Sequence, residues 1–155
     1  MKFSHIEGEK ARMVDISEKK EVSRRAISSG EIQLKPKTIE AIRNKQIIKG
    51  SVLETARIAS IIAIKNTSSV IPMCHQITIT GIDVQFDIGY DNVKVTVDVR
   101  TIGKTGVEME ALHGASVALL TIWDMVKSVE KDDTGNYPST AIRNIKVIEK
   151  IKEQK

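Results

Sequence analysis

Asp124 and Lys127 stand three residues apart within an apolar stretch, Leu119-Leu120-Thr121-Ile122-Trp123 before the aspartate and Met125-Val126 after it. On a helix that spacing puts both side chains on one face, where they can meet. A carboxylate in such a setting loses hydration and needs a cation or hydrogen-bond donors. Burial raises its pKa and the lysine lowers it, a combination suited to proton transfer. The same spacing also serves a surface ion pair worth roughly 0.2–0.5 kcal/mol, and the two readings stand side by side.

A second constellation is Gly103-Lys104-Thr105-Gly106-Val107-Glu108-Met109-Glu110, where a strand turns into a helix. Free amides and the positive end of a helix dipole favour an anion there. Lys104-Thr105 is similar to the end of a phosphate-binding loop, but Asp98 occupies the place of that loop's first glycine. Lys104 therefore reads either as a phosphate contact or as a solvated loop lysine. Glu108 and Glu110 are about 200° apart on a helix, so they are expected on different faces. Acidic residues in a first turn also complement the dipole.

Cys74-His75, just after Pro72, brings a thiol beside an imidazole. With three histidines and one cysteine, no zinc-like spacing exists. A polar ligand contact or proton donor is the expected role of His75, against that of a structural histidine. The cations Arg24, Arg25, Lys49, Arg57, Lys65, Lys104 and Lys127 are scattered along the chain. Lys49 precedes a helix start, another anion position. A polyanionic small molecule would gather several of these residues. Five aromatic residues leave little for base stacking, and there is no RNP or helix-turn-helix signature, which disfavours nucleic acid.

These residues must be positioned by regular elements. Val22–Leu34 predicts a strand with irregularity near Ser28–Gly30, and Pro36 opens a short helix over Lys37–Arg43. Ser51 and Glu54 predict a capping box for a helix reaching Lys65. Asn66–Pro72 reads as a connection. Ile77–Ile88 reads as a strand with a bulge near Gly81. Val93, Val95, Val97 and Val99 alternate strictly with polar residues and mark the next strand. A long helix from about Val107 to Val129 is apolar on more than one side, so it should pack on a sheet and on another helix or subunit. Thr134–Pro138 is a turn and Ile142–Ile148 a last strand. The order β-α-β-β-α-β predicts an α+β, ferredoxin-like sandwich: an antiparallel sheet with helices on one face.

With 155 residues the chain reads as a single domain, 1–155, with flexible tails expected over 1–12 and 150–155. The net charge of +4 suits an anionic ligand but also mere solubility. No run approaches the roughly 18 apolar residues of a membrane span. The polar start, Met1–Ala11, and the lone cysteine predict a cytoplasmic protein.

Taken together, Met13-Val14-Asp15-Ile16-Ser17, Lys49-Gly50, Thr55–Ala59, Ile71–His75, Gly103–Leu112 (GKTGVEMEAL) and Thr121–Lys127 (TIWDMVK) give the chain a family likeness. It resembles the molybdenum cofactor biosynthesis protein C family, the cyclic pyranopterin monophosphate synthases, over roughly Met13 to Lys131. The resemblance implies a homohexamer, a trimer of dimers, with active sites at the dimer interface. It implies a GTP-derived triphosphate substrate, 3′,8-cyclo-7,8-dihydro-GTP, supplied by a radical S-adenosylmethionine cyclase. The implied products are cyclic pyranopterin monophosphate and diphosphate, with no metal or other cofactor. By position, Asp124 and Lys127 match the catalytic pair and Lys49 a lysine at the rearranging substrate. His75, Cys74, Glu108, Met109 and Glu110 match the pocket, and Arg24 and Lys65 match cations expected to hold the triphosphate. His113-Gly114 depart from the family pattern, and Gly114 implies close helix packing. A lysine-rich strand stands where many bacterial members carry a glycine- and lysine-rich tail, leaving Lys146 or Lys150 to replace its lysine. The residues by themselves also permit a nucleotide-binding module without chemistry.

Overall fold

The computed structural model describes residues 6–7 and 10–153, with side chains from residue 11 onward. A small antiparallel pair, β1 (Ile6–Glu7) and β2 (Lys10–Ala11), precedes the main body. The body runs β3 (Val22–Gln33), α1 (Pro36–Arg43), α2 (Val52–Lys65), α3 (Thr67–Val70), β4 (Ile79–Ile88), β5 (Asn92–Gly103), α4 (Glu108–Glu130) and β6 (Ala141–Glu153). The sheet order is β4-β5-β3-β6 and every neighbouring pair is antiparallel. Two central strands flanked by the second and last of the series form the ferredoxin-like arrangement that the element order predicts.

Period-two alternation sorts β5: Val93, Val95, Val97 and Val99 are fully buried beneath the helices, while Lys94 and Arg100 are exposed. Ala26 and Ile32 of β3 join them from the neighbouring strand. From above, α4 contributes Ala111, Ala115, Ala118, Leu119, Ile122 and Val126, all fully buried. Small residues on α4 let α2 approach closely. A Cβ on Gly114 would lie 2.6 Å from Ile64 Cγ1 and 3.0 Å from Ser60 Oγ. The long helix is thus covered by the sheet and by α2, which accounts for its broad apolar character.

Several local expectations change. Ser51 is the residue before α2, but its side chain makes no capping bond; its carbonyl accepts from the Thr55 amide and hydroxyl, and Glu54 pairs instead with Arg57. The Asn66–Pro72 connection contains the single-turn α3. The register shift between Ile79 and Gly81 fits the expected bulge. The irregularity opposite Ser28–Gly30 lies in β6, which contributes the extra residues. β6 also continues to Glu153, so residues 150–153 are paired with β3 and are not a loose tail. The remaining expected tail residues 1–5, 8–9 and 154–155 lie outside the described residues.

Candidate functional site

The first turn of α4, the turn before it, the loop after α3 and the adjoining ends of β3 and β6 enclose a groove of about 780 Å³. Its lining includes Arg24, Met73, Cys74, His75, Lys104–Gly106, Glu108, Met109 and Glu110. Lys19, Lys150 and Lys152 add to its positive side.

Strand register explains why these cations converge. Arg24 of β3 pairs with Lys152 of β6, and Ala26 pairs with Lys150. Ala26 belongs to the core under the helices, so alternation places Arg24, Lys150 and Lys152 on that same side of the sheet. Like charges directly opposite each other on neighbouring strands are unfavourable unless an anion sits among them. Lys146 pairs with Ser29, whose parity is that of the opposite face. Of Lys146 and Lys150, it is therefore Lys150 that lines the groove, together with Lys152.

Some of this charge already has partners. Arg24 donates from Nε to the Gly103 carbonyl at 2.9 Å and from Nη2 to the Lys104 carbonyl at 3.1 Å. Lys104 Nζ donates to the Ser17 carbonyl at 2.7 Å, which binds the N-terminal segment to the turn. Lys150 forms an ion pair with Glu108. The Glu108 carboxylate folds back over Gly106, where an added Cβ would lie 1.8 Å from Glu108 Oε2. Only a glycine leaves that space open.

Glu108 and Glu110 border the groove together, contrary to the faces expected from helical spacing. Glu108 is the first residue of α4 and bends back over the helix end, whereas Glu110 points inward. Glu110 is 3% exposed; burial pushes its pKa up, and the charge of Glu108 adds to the rise. Burial also raises the Cys74 thiol, with Glu110 contributing. Cys74 and His75 lie in irregular backbone, not in a strand, so both reach the groove. An inward carboxyl that favours its neutral form can donate a hydrogen bond or hold a proton.

A second cluster lies at the other end of α4. Asp124 Oδ1 accepts from Lys127 Nζ at 2.7 Å, and Oδ2 accepts from Lys49 Nζ at 3.1 Å. Lys49 Nζ also donates to the Asp124 main-chain carbonyl at 2.7 Å. Lys49 reaches α4 from the loop between α1 and α2, where the Gly50 amide closes a turn on the Ile47 carbonyl. The expected desolvation of Asp124 is not present: its side chain is 57% exposed, because it leaves the buried stripe of α4. Hydrogen bonds from Lys127 and then Lys49 hold its carboxyl below the usual range. Asp124 correspondingly raises Lys127. Each of the two residues thus favours the charged form of the other, as in an ion pair.

Glu110 and Asp124 are about 20 Å apart along α4 at roughly 1.5 Å per residue. Lys65, exposed at the end of α2, lines neither the groove nor the second cluster. Among the described residues no group of three or more His, Cys, Asp or Glu is arranged to hold a metal ion. The sequence reading missed Lys19 and Lys152. The signal for Lys152 was the Lys150-Ile151-Lys152 alternation, concealed by ending the strand at Ile148.

The model of the MoaC family matches residues 13–153. A protein of Methanosarcina acetivorans named a probable cyclic pyranopterin monophosphate synthase is 63% identical over 150 residues, 97% of this chain and 95% of its own. One of the same name from Pyrococcus furiosus is 56% identical over 155 residues, 100% of this chain and 99% of its own. A Methanothermobacter thermautotrophicus protein named a probable cyclic pyranopterin monophosphate synthase accessory protein is 57% identical over 150 residues, 97% of this chain and 94% of its own.

Proposed function

The chain belongs to the MoaC family and is a cyclic pyranopterin monophosphate synthase of molybdenum cofactor biosynthesis; we propose that it works at a composite site built by two protomers. The observation that carries this is the separation of the two clusters along α4. Reacting groups must come within about 3–3.5 Å, so neither cluster can join the other's reaction inside one protomer. A second copy related by a two-fold axis would present its Lys49–Asp124–Lys127 cluster to the groove of the first. Exposed Ile58 and Ile62 on α2 and Leu120 on α4 support an apolar contact between copies. A trimer of such dimers, located in the cytoplasm, is the assembly proposed.

The substrate proposed is 3′,8-cyclo-7,8-dihydro-GTP from a radical S-adenosylmethionine cyclase. Its triphosphate lies along Arg24, Lys150 and Lys152, where like charges stand opposite each other and an anion relieves their repulsion. Its ring system lies toward His75, Cys74, Met109 and Glu110. Lys65 joins the phosphate cations only if it is supplied by the second protomer. Opening and rebuilding the ring requires several proton transfers, for which Asp124, Lys127 and Lys49 are the proposed acid–base groups. A ribose hydroxyl then attacks the α-phosphorus. Its proton passes to a base, the new P–O bond closes the cyclic diester, and the bond to the β-phosphate breaks with loss of diphosphate. Lysine cations stabilise the charge that develops on the phosphate oxygens. No metal ion is assigned a role.

The test mixes two inactive variants, Lys127→Ala and Glu110→Gln, after each is unfolded and refolded together with the other. A composite site returns about a quarter of the wild-type diphosphate release, because random pairing restores one intact site per heterodimer. Recovery no better than that of the separate variants would show that each protomer carries a complete site. A nucleotide-binding module without chemistry would show saturable binding by wild type and no diphosphate release.

A further inference from the structure

Helix α4 ends at Glu130, a carboxylate with no solvent exposure. It accepts hydrogen bonds from the Lys35 amide at 3.1 Å, from the Thr38 hydroxyl, and from the Thr140 hydroxyl at 2.5 Å. Lys35 Nζ donates in return to the Val129 and Lys131 carbonyls at 3.3 and 3.1 Å. One buried group therefore ties together the start of α1, the end of α4 and the residue before β6. The intervening segment, 131–139, is closed on itself by Asp132, whose Oδ1 accepts from the Thr134 amide at 2.9 Å and the Asn136 amide at 2.9 Å.

This fastening has a directed result. The segment returns over α4 and places the Tyr137 ring 5.6 Å from that of Trp123, with the planes at 72°. Trp123 and Lys127 are four apart on α4 and so share a face. The aromatic pair consequently stands alongside the turn that holds Asp124 and Lys127. The half-exposed ion pair needs such a neighbour, since water competes strongly for charges at an open surface.

We propose that Tyr137 is a positioning residue of the Asp124–Lys127 pair: its ring, set by the Glu130–Thr140 fastening and seated on Trp123, walls the pair on one side and keeps Lys127 on Asp124. The proposal rests on the reading of that pair as catalytic. The charge coupling between Tyr137 and Lys127 agrees with the placement, although Asp124 is the larger influence on the lysine.

The experiment measures kcat and KM for the cyclised dihydro-GTP across the pH range with Tyr137→Phe, Tyr137→Ala and Thr140→Val in the full-length chain. Trp123, the single tryptophan, reports the contact through its emission. Tyr137→Ala is expected to lower kcat about tenfold with KM unchanged. Its alkaline limb should move to lower pH, because Lys127 loses part of its hold on Asp124, and Trp123 emission should shift red. Tyr137→Phe keeps the ring and should retain wild-type kcat and KM on the pH plateau. Thr140→Val keeps the Tyr137 side chain but loosens the segment that sets it, so it should red-shift Trp123 and lose kcat in the same direction and to a smaller extent. Wild-type kcat and pH profile in Tyr137→Ala would overturn the proposal. So would a loss confined to KM, or a Phe variant as impaired as the Ala variant. If Tyr137→Ala proves misfolded by circular dichroism, an unchanged kcat and pH limb in Thr140→Val with a red-shifted Trp123 carries the refutation. A wild type that releases no diphosphate would instead refute the synthase reading.

Discussion

Replacing Gly114 with alanine adds one methyl group at the crossing of α2 and α4. That methyl would sit 2.6 Å from Ile64 Cγ1, 2.8 Å from Ile64 Cδ1 and 3.0 Å from Ser60 Oγ. Ile64 is 1% exposed and Ser60 fully buried, so neither side chain has open space to enter. In an unconstrained helix the change would stabilise by about 1 kcal/mol, since alanine orders more cheaply than glycine. Overpacking a filled seam costs roughly 1–3 kcal/mol, and contacts below 3 Å with a buried isoleucine belong to its upper half. The net expectation is a loss of about 1–2 kcal/mol, equivalent to a fall in Tm of roughly 2–8 °C for a chain of this size. Urea unfolding at fixed protomer concentration measures it, because assembly makes apparent stability concentration-dependent. Combining Gly114→Ala with Ile64→Ala removes both the Cγ1 and the Cδ1 contacts, and the pair should couple favourably by about 1 kcal/mol in a double-mutant cycle. A Gly114→Ala variant as stable as wild type, with no coupling to Ile64, would mean that α2 slides freely on α4.

Asp124→Asn should lower diphosphate release by about 10²- to 10⁴-fold while leaving the unfolding transition in place, because the side chain is exposed and outside the core. Glu110 has a raised folded-state pKa, so the unfolded chain releases that proton more readily and stability falls as pH rises from the ordinary carboxyl pKa through the folded value. Glu110→Gln should therefore be more stable than wild type at neutral pH and converge with it in acid, as followed by melting across a pH series. Gly106→Ala should displace the Glu108 carboxylate from its fold-back and weaken its pairing with Lys150, changing KM more than stability in steady-state assays. Lys152→Ala should raise KM about tenfold or more, the effect of one charge-assisted phosphate contact, with a weaker dependence on salt.

The strictly alternating valines of β5 and the apolar span of α4 were legible because burial on one side of a sheet imposes a period that single residues cannot disguise. Gly114 was legible for a similar reason: a glycine kept inside a helix at a cost signals close approach. The end of β6 was not. Its residues are mostly exposed, so the alternation of Lys150 and Lys152 carries no apolar signature, and only pairing with β3 shows their side. The Ser51–Glu54 capping pattern was present in type and spacing, yet Arg57 offered Glu54 a charged partner one turn away. Asp124 read as desolvated because its neighbours in sequence are apolar; helical geometry turns Leu119, Ile122, Met125 and Val126 toward the core and the aspartate outward. The separation of the two clusters along α4 follows from helix length, whereas the proposed meeting of clusters from two protomers would be a property of an interface, which no local pattern encodes.

The row formed by Arg24, Lys150 and Lys152 has a further consequence. A field of fixed positive charge attracts polyphosphates in proportion to their charge and hardly according to what they carry. On the proposed placement of the triphosphate, nucleoside triphosphates and inorganic polyphosphate compete with the substrate for it, and the less charged diphosphate competes more weakly. On that reading selectivity falls to the opposite end of the groove, where a guest that cannot satisfy the inward Glu110 leaves a desolvated carboxyl without a partner. Recruitment and discrimination would then fall at different ends of one groove, so that a surplus of polyphosphate at the first would not admit the wrong guest at the second.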